Sequence, residues 1–170
     1  MTTLNLRAWT ALVLATAPMA ACTEPDLSLP TAEEAEAAYQ YTGSLSAEMS
    51  GNVLVLTVAQ PYRQLQRGGT LWAKIGPYIL LFSEPTRDLF LAYGGLAAVR
   101  VVTLTGSDQE VARATLLRDG LNELTWKRAL NLSGLARRDG TTRLTTLEDL
   151  IDWGEEHTEF EYNPRYIRRR

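Results

Sequence analysis

The sequence has few of the residues that build metal cages or disulfide scaffolds. Its 170 residues include one cysteine and one histidine. A zinc cage needs several Cys or His ligands, and a disulfide scaffold needs paired cysteines, so neither class fits. Past the N-terminal region, the apolar runs are far shorter than the roughly 20 residues that span a bilayer. Because 45% of the residues are hydrophobic and 22% are charged, the composition is that of a globular domain.

The first 21 residues have the three regions of a secretory signal peptide. Arg7 is their single charge, an apolar stretch covers residues 8–17, and small residues follow. The apolar stretch is too short for a stable transmembrane helix, and Pro18 ends any helix before the small residues. This order predicts export of the chain and removal of residues 1–21.

The cysteine, Cys22, comes directly after Met19-Ala20-Ala21. This arrangement resembles the lipobox of bacterial lipoproteins, in which a Leu-like residue and two small residues precede the cysteine. The resemblance covers about the first 22 residues, and Met19 stands where Leu is commoner. It implies that the signal peptidase recognises Met19, Ala20 and Ala21, that Cys22 carries a diacylglycerol on its sulfur, and that cleavage precedes Cys22.

Two other interpretations of Cys22 compete with lipidation. A free cysteine is often a buried structural thiol, but the polar residues 23–26 that follow give it little core to enter. An ordinary signal peptidase would instead release a secreted protein, but Met19 stands where that enzyme prefers a small residue. We therefore expect a protein of the cell envelope, attached to the membrane through lipidated Cys22. Thr23 is not Asp, which by the same resemblance implies the periplasmic side of the outer membrane in a host with two membranes.

The charge of the processed chain argues against a nucleic-acid partner. Arg7 is the only charge removed with the signal peptide, so 16 of the 17 basic residues and all 20 acidic residues remain, and the net charge is −4. A nucleic-acid-binding domain is expected to carry a basic patch instead.

The processed chain divides into three parts. We interpret residues 22–40 as a tether and a short helix, residues 41–164 as one domain, and residues 165–170 as a basic tail. Thr31 and Glu34 have the spacing of a capping box for a helix over residues 32–38. We expect this helix to attach loosely, because it contains few large apolar side chains.

Alternating and β-branched segments predict an antiparallel sheet of about four or five strands. The first hairpin pairs residues 45–49 with residues 53–58, and the second pairs residues 99–105 with residues 110–117. Residues 160–162 form a short edge strand. A helix beginning at Ser107 is the alternative to the second hairpin, since Ser107 and Glu110 also fit a capping box.

Three or four helices are expected to pack on one face of the sheet, which makes the fold class α+β. The helical segments are residues 86–93, 121–137 and 145–157, the last opened by a capping box at Thr145 and Glu148. In the second, Leu121, Leu124, Ala129, Leu132 and Leu135 form the apolar stripe. Residues 70–82 fit either a helix or a strand, and we favour a helix only before Gly76.

Four groups of residues are candidates for function, and each has a structural alternative. His157 lies among acidic residues 155–161, either as a cation or catalytic site or as a solvated helix end. Arg67-Gly68-Gly69, with Trp72 and Lys74 nearby, is either a segment that binds nucleic acid or a loop between two elements. The basic tail 165–170 contacts anionic lipid or a partner, pairs with the acidic helix, or stays disordered. The aromatic residues form either core or an exposed groove; they are Trp72, Tyr78, Phe82, Phe90 and Tyr93.

The sequence contains none of the common catalytic motifs. It has no Gly-x-Ser-x-Gly elbow, no phosphate-binding loop and no dinucleotide fingerprint. We therefore expect no catalytic residue, no metal and no cofactor, and interpret the chain as a binding or structural module for another envelope component. The alternative is a carboxylate-based hydrolase that uses the acidic residues near His157.

Overall fold

Residues 26–60 and 62–167, which the computed structural model describes, contain one five-stranded sheet. Its strands lie in sequence order and are β1 (Leu45–Ser50), β2 (Val53–Ala59), β3 (Ala98–Leu104), β4 (Glu110–Leu117) and β5 (Glu159–Tyr162). Both expected hairpins and the edge strand are present, so the α+β class is confirmed. The helix considered at Ser107 is not formed.

The sheet is mixed, which corrects the expectation of an antiparallel one. Strands β2 and β3 pair in parallel, with Val53 opposite Ala98 and Ala59 opposite Leu104. Parallel neighbours require a long crossover connection, usually helical. The segment between these two strands forms two helices, α2 and α3, which supply that connection.

The helices are more numerous than expected within the described residues. Five have eight or more residues: α1 (Ala32–Tyr39), α2 (Tyr62–Leu81), α3 (Glu84–Ala92), α4 (Glu123–Asp139) and α5 (Leu144–His157). A single turn, α6 (Pro164–Ile167), follows β5.

Helix α2 resolves the open interpretation of residues 70–82, which are helical as far as Leu81 despite Gly76 and Pro77. The segment is interrupted at Gly69, whose φ of 57° is readily adopted only by glycine. Beyond it, Ile75, Tyr78 and Leu81 are fully buried at helical spacing. Their burial outweighs the roughly 3 kcal/mol that an internal proline costs a helix.

One face of the sheet is covered by the helices, and the other carries no helix of the described chain. The covered face buries Leu54, Leu56, Val99, Val101 and Leu116 in a core shared with α1–α5. The expectation that the helices lie on one face is therefore confirmed. The opposite face presents half-buried aliphatic and polar side chains that stand outside this core.

The two ends of the sheet have different structures. At one end, the β1–β2 turn lies beside the start of β3 and the end of β4, and we call this the leucine end. Backbone hydrogen bonds link Ala97 to Asn52 and Arg118 to Ala97 there. At the other, which we call the pocket end, β2 and β3 finish side by side, and the Gln60 N–H donates to the Leu104 carbonyl. Seven-residue strands separate the two ends by roughly 20 Å.

The expectation that the first helix attaches loosely is wrong. Ala35 is fully buried and Tyr39 is nearly so. The Tyr39 hydroxyl donates to Thr86 Oγ1 at 2.7 Å, and that hydroxyl donates onward to the Leu80 carbonyl. One aromatic side chain therefore fixes α1 to α3, despite the small residues around it.

Two details of the α4–α5 pair also differ from the prediction. Helix α5 begins at Leu144, one residue before the predicted capping box, and its N-cap Arg143 makes no side-chain cap. In α4 the buried stripe is Trp126, Ala129, Ser133 and Ala136, whereas Leu124 is 76% exposed. The bulky Trp126 packs against Phe90 and so sets the rotation of the helix.

Candidate functional site

The residues expected to carry the lipid anchor, Met19, Ala20, Ala21 and Cys22, lie outside the described residues. The described chain begins four residues after Cys22 with a segment, Asp26–Pro30, that we call the strap. The strap lies on the turn after α3, where the Gly95 N–H donates to the Ser28 carbonyl at 2.9 Å and the Gly94 N–H donates to Asp26 Oδ2 at 3.1 Å. Part of the segment interpreted as a tether is therefore docked on the domain.

Glycine is required at both positions under the strap. A Cβ on Gly94 would overlap the Asp26 carbonyl oxygen, and one on Gly95 would overlap the Leu27 carbonyl. Backbone and side-chain hydrogen bonds from Ser28, followed by that from Gly94, lower the pKa of Asp26. The Asp26 carboxylate is thus held ionised where it meets the turn.

Arg118 holds the same turn from the inside. Its guanidinium donates to the carbonyls of Leu96, Phe90 and Tyr93 and lies over the Phe90 ring. A shallow hollow of about 440 Å³, lined by Gly94, Gly95 and residues 117–120, opens beside it.

At the pocket end lies a smaller and more enclosed cavity of about 190 Å³. Its lining is mostly apolar and comes from the end of β2, the segment before β1, β3 and α2: Tyr41, Val58, Gln60, Trp72, Ile75, Gly76, Ile79, Leu80 and Thr103. Gly76 brings α2 close to the sheet, because a Cβ there would overlap the Gln60 side chain.

Gln60 is the polar group of this cavity. The residue is 8% exposed, and its Nε2 donates to the Trp72 carbonyl at 3.1 Å. Its Oε1 is buried and accepts no hydrogen bond from the described residues. A buried acceptor without a donor is costly, so Gln60 is the residue of this lining whose hydrogen-bonding capacity is unmet by the described residues.

The aromatic residues are mostly core. Tyr78, Phe82 and Phe90 are buried, as the core interpretation expects. Trp72 and Tyr93 are half-buried and pack against the core, and Trp72 also lines the cavity at the pocket end.

His157 does not gather carboxylates around it. Its ring stacks on Trp153 at a centroid distance of 3.9 Å, and Nδ1 lies 2.9 Å from the Trp153 carbonyl oxygen. Glu156 is 4.0 Å away, while Glu155 turns to Lys74 at 2.8 Å. This arrangement is that of a helix end stabilised by stacking.

A second polar cluster joins α2, α5 and β5. The hydroxyls of Tyr78 and Tyr162 lie 2.5 Å apart, and Lys74 sits 4.8 Å from the centre of the Tyr162 ring while paired with Glu155. Burial raises the pKa of Tyr78 to about 12 and raises that of Tyr162 as well. Both phenols therefore stay neutral at physiological pH and tie the three elements together.

The Arg67-Gly68-Gly69 segment ends at the interruption of α2 at Gly69, so it forms the junction of two helical stretches and not a longer loop between elements. Lys74 is engaged by Glu155, and Trp72 lines a cavity. Of the described side chains in this group, the basic one is therefore paired and the aromatic one packs beside the cavity.

The tail begins in α6. The Tyr166 hydroxyl donates to Gln109 Oε1 at 2.9 Å, and the Ile167 carbonyl accepts from Thr70 Oγ1. These contacts fix residues 164–167 to the pocket end, while residues 168–170 lie outside the described residues.

The described residues contain neither a helix long and apolar enough to cross a membrane nor a group of three or more potential metal ligands. Comparison of the chain with protein-family models, curated proteins and solved structures finds no match. The residues that the sequence analysis missed are Gln60 and the glycine pair 94–95. A polar side chain between the apolar run of β2 and Pro61 was the available signal for Gln60.

Proposed function

We propose that the chain is a lipid-anchored protein of the bacterial cell envelope whose domain binds another envelope component at the pocket end. The anchor is the diacylglycerol on Cys22, with recognition and cleavage at Met19-Ala20-Ala21. Where the host has two membranes, the protein faces the periplasm from the outer membrane.

The anchor is supported by the order of residues at the N-terminus. Arg7, the apolar stretch 8–17, small residues and Cys22 follow one another as in lipoproteins. The strap begins four residues after Cys22 and is hydrogen-bonded to the turn after α3, so the proposed anchor would lie next to the domain.

The observation that carries the binding function is the enclosed, mostly apolar cavity lined by Gln60, a residue whose Oε1 is buried and unpaired among the described residues. Ligand pockets are typically apolar with a few polar groups that fix orientation. About 190 Å³ is too small for a drug-sized molecule, which requires at least roughly 300 Å³, but suits one large side chain of a partner protein. The side chain would be apolar and carry one hydrogen-bond donor, as Trp and Tyr do.

The hydrolase hypothesis is not favoured by the geometry. A general acid and base need to converge on one substrate position. Around His157 the carboxylates diverge, with Glu155 paired to Lys74 and Glu156 73% exposed.

Labelling of cells with an alkyne fatty acid tests the anchor. We expect wild-type protein to incorporate the label and Cys22→Ser protein to lose it. Labelling that is unchanged in Cys22→Ser would contradict attachment at this sulfur.

Site-specific photocrosslinking in cells tests the binding function. A photoreactive amino acid at Tyr41, on the rim of the cavity, should give a discrete crosslinked protein, and one at the exposed Glu148 on α5 should not. The Gln60→Leu substitution should abolish the crosslink from position 41. Equal crosslinking from both positions, or a band insensitive to Gln60→Leu, would refute binding in this cavity.

A further inference from the structure

Exposed leucines concentrate at the leucine end. Among the described residues, Leu27 is 75%, Leu91 73%, Leu117 51% and Leu124 76% exposed. Leu29, in the strap, is 41% exposed. The remaining large apolar side chains that are exposed in the described part, Tyr41, Leu144 and Phe160, lie elsewhere.

Backbone and side-chain contacts place the segments that carry these leucines at the same end of the sheet. Leu27 lies in the strap on Gly95, and Leu117 ends β4 beside Arg118. Leu91 follows Phe90, whose carbonyl accepts from Arg118. Leu124 is in the first turn of α4, two residues before Trp126, whose ring meets Phe90. Four different elements thus present leucine at one end of the domain.

The covalent chain keeps this end near the anchor. Asp26 is hydrogen-bonded to Gly94, and only Thr23, Glu24 and Pro25 separate it from Cys22. Four residue steps span at most about 14 Å even when fully extended. A lipid on Cys22 therefore cannot lie far from the strap, whereas the pocket end is a further strand length away.

We propose that the leucine end is a membrane-contact surface, with Leu27, Leu91, Leu117 and Leu124 entering the boundary between lipid head groups and acyl chains. The proposal rests on the proposed lipid anchor at Cys22. The occupant is the bilayer itself, because the anchor brings the bilayer to this end before any soluble partner. Clustered exposed leucines are unfavourable in water and favourable at that boundary.

The charges at this end indicate an apolar contact rather than an electrostatic one. The Arg118 guanidinium is occupied by three backbone carbonyls, and Lys127 is paired with Glu123 at 2.9 Å. Arg128, which lines a hollow with Leu124, lies over the Trp153 ring, and Arg87 pairs with Glu84. Asp26 and Asp119 are acidic. Contact should therefore depend little on anionic lipid or on salt.

The described part of the basic tail, residues 165–167, lies at the other end of the domain. Residues 164–167 are fixed beside Gln109, in the turn between β3 and β4. In the proposed orientation the described part of the tail, like the cavity of Gln60, faces away from the bilayer that holds the anchor. The orientation therefore leaves the binding cavity accessible to a partner.

Depth-dependent fluorescence quenching tests the proposal on the lipidated full-length product in phosphatidylethanolamine–phosphatidylglycerol vesicles. Because acylation consumes the Cys22 thiol, an introduced cysteine can be labelled uniquely. Leu117→Cys and Leu124→Cys carry the dye at the leucine end. Leu144→Cys is the matched control, since Leu144 is 52% exposed and begins α5, whose other end lies near Gly120.

We expect quenchers on the acyl chains to quench the dyes at 117 and 124 at least threefold more than the dye at 144, in low and high salt alike. Equal quenching at all three positions, or stronger quenching at 144, would overturn the orientation while leaving the anchor intact. Mass spectrometry of the same samples separates the two claims. Acylated Cys22 without selective quenching contradicts only the contact surface, whereas a free Cys22 thiol contradicts both.

Discussion

The Asp26 carboxylate accepts a hydrogen bond at 3.1 Å from the backbone N–H of Gly94, 68 residues further along the chain. This contact seats the strap on the turn after α3, where the neighbouring Gly95 N–H binds the Ser28 carbonyl. The consequence is mechanical: a force applied at Cys22 reaches the domain through the leucine end.

Replacing the glycine under the strap should detach it. Gly94→Val would overlap the Asp26 backbone, and we expect the free energy of unfolding to fall by about 1–3 kcal/mol with faster proteolysis within residues 26–31. Urea unfolding and limited proteolysis measure the two effects. Gly134→Ala, in an exposed part of α4 with no atom near the added Cβ, is the control and should stabilise slightly. Unchanged proteolysis in Gly94→Val would show that the strap does not depend on this turn.

The stability of this turn should also depend on the guanidinium of Arg118. In Arg118→Lys one ammonium replaces a planar group that donates to three carbonyls, so we expect a loss of about 2 kcal/mol. Thermal and urea unfolding provide the measurement. Arg87→Lys, at a side chain 37% exposed with a single partner at 3.5 Å, should change stability by less than about 0.5 kcal/mol. Equal effects of the two substitutions would argue against a special role for Arg118.

A methyl group at Gly76 should fill the cavity and strain the packing of α2 on the sheet. Gly76→Ala would overlap the Gln60 side chain, and we expect a loss of about 1–3 kcal/mol together with loss of the crosslink from position 41. Gln60→Leu should remove the same crosslink at a cost below about 1 kcal/mol, because it also removes the unpaired oxygen. A stable Gly76→Ala protein that still crosslinks would contradict the assignment of the cavity.

Stability should fall in alkaline solution through the buried phenols. The pKa of Tyr78 is about 12 in the folded protein because of burial, against 10 for an ordinary tyrosine. The unfolded chain loses this proton first, so the stabilisation is complete below pH 10 and is lost as the pH rises toward 12, at up to about 1.4 kcal/mol per pH unit. Urea unfolding at pH 8, 10 and 11 measures the slope. Tyr78→Phe should reduce the slope without abolishing it, because burial also raises the pKa of Tyr162 and of Tyr39. An unchanged slope in that variant would assign the effect to other groups.

Local patterns predicted the elements, and long-range packing decided their arrangement. Alternation identified the two hairpins, and turn residues bounded them, because both are properties of neighbouring residues. The parallel pairing of β2 with β3 depends on how the crossover helices pack, which no local pattern encodes. Helix α2 shows the same limit, since Gly76 and Pro77 disfavour a helix locally while the burial of Ile75, Tyr78 and Leu81 stabilises it.

The candidate sites were predictable to different degrees. The lipobox resemblance stands on four adjacent residues and can be recognised from the sequence. The cavity of Gln60 is assembled from four separate segments, so the sequence does not predict it. Gln60 itself could have been noticed as a polar residue directly after an apolar strand. The spacing of leucines predicts that Leu124 belongs to the buried stripe of α4. Instead, the packing of Trp126 against Phe90 sets the rotation of the helix, and Leu124 is exposed at the proposed membrane-contact surface.

Mass spectrometry of the protein isolated from membranes tests the central claim most directly. We predict that residues 1–21 are absent and that the N-terminal peptide begins at Cys22 with a diacylglycerol on its sulfur. A chain that retains Met1 and a free Cys22 thiol would contradict the account.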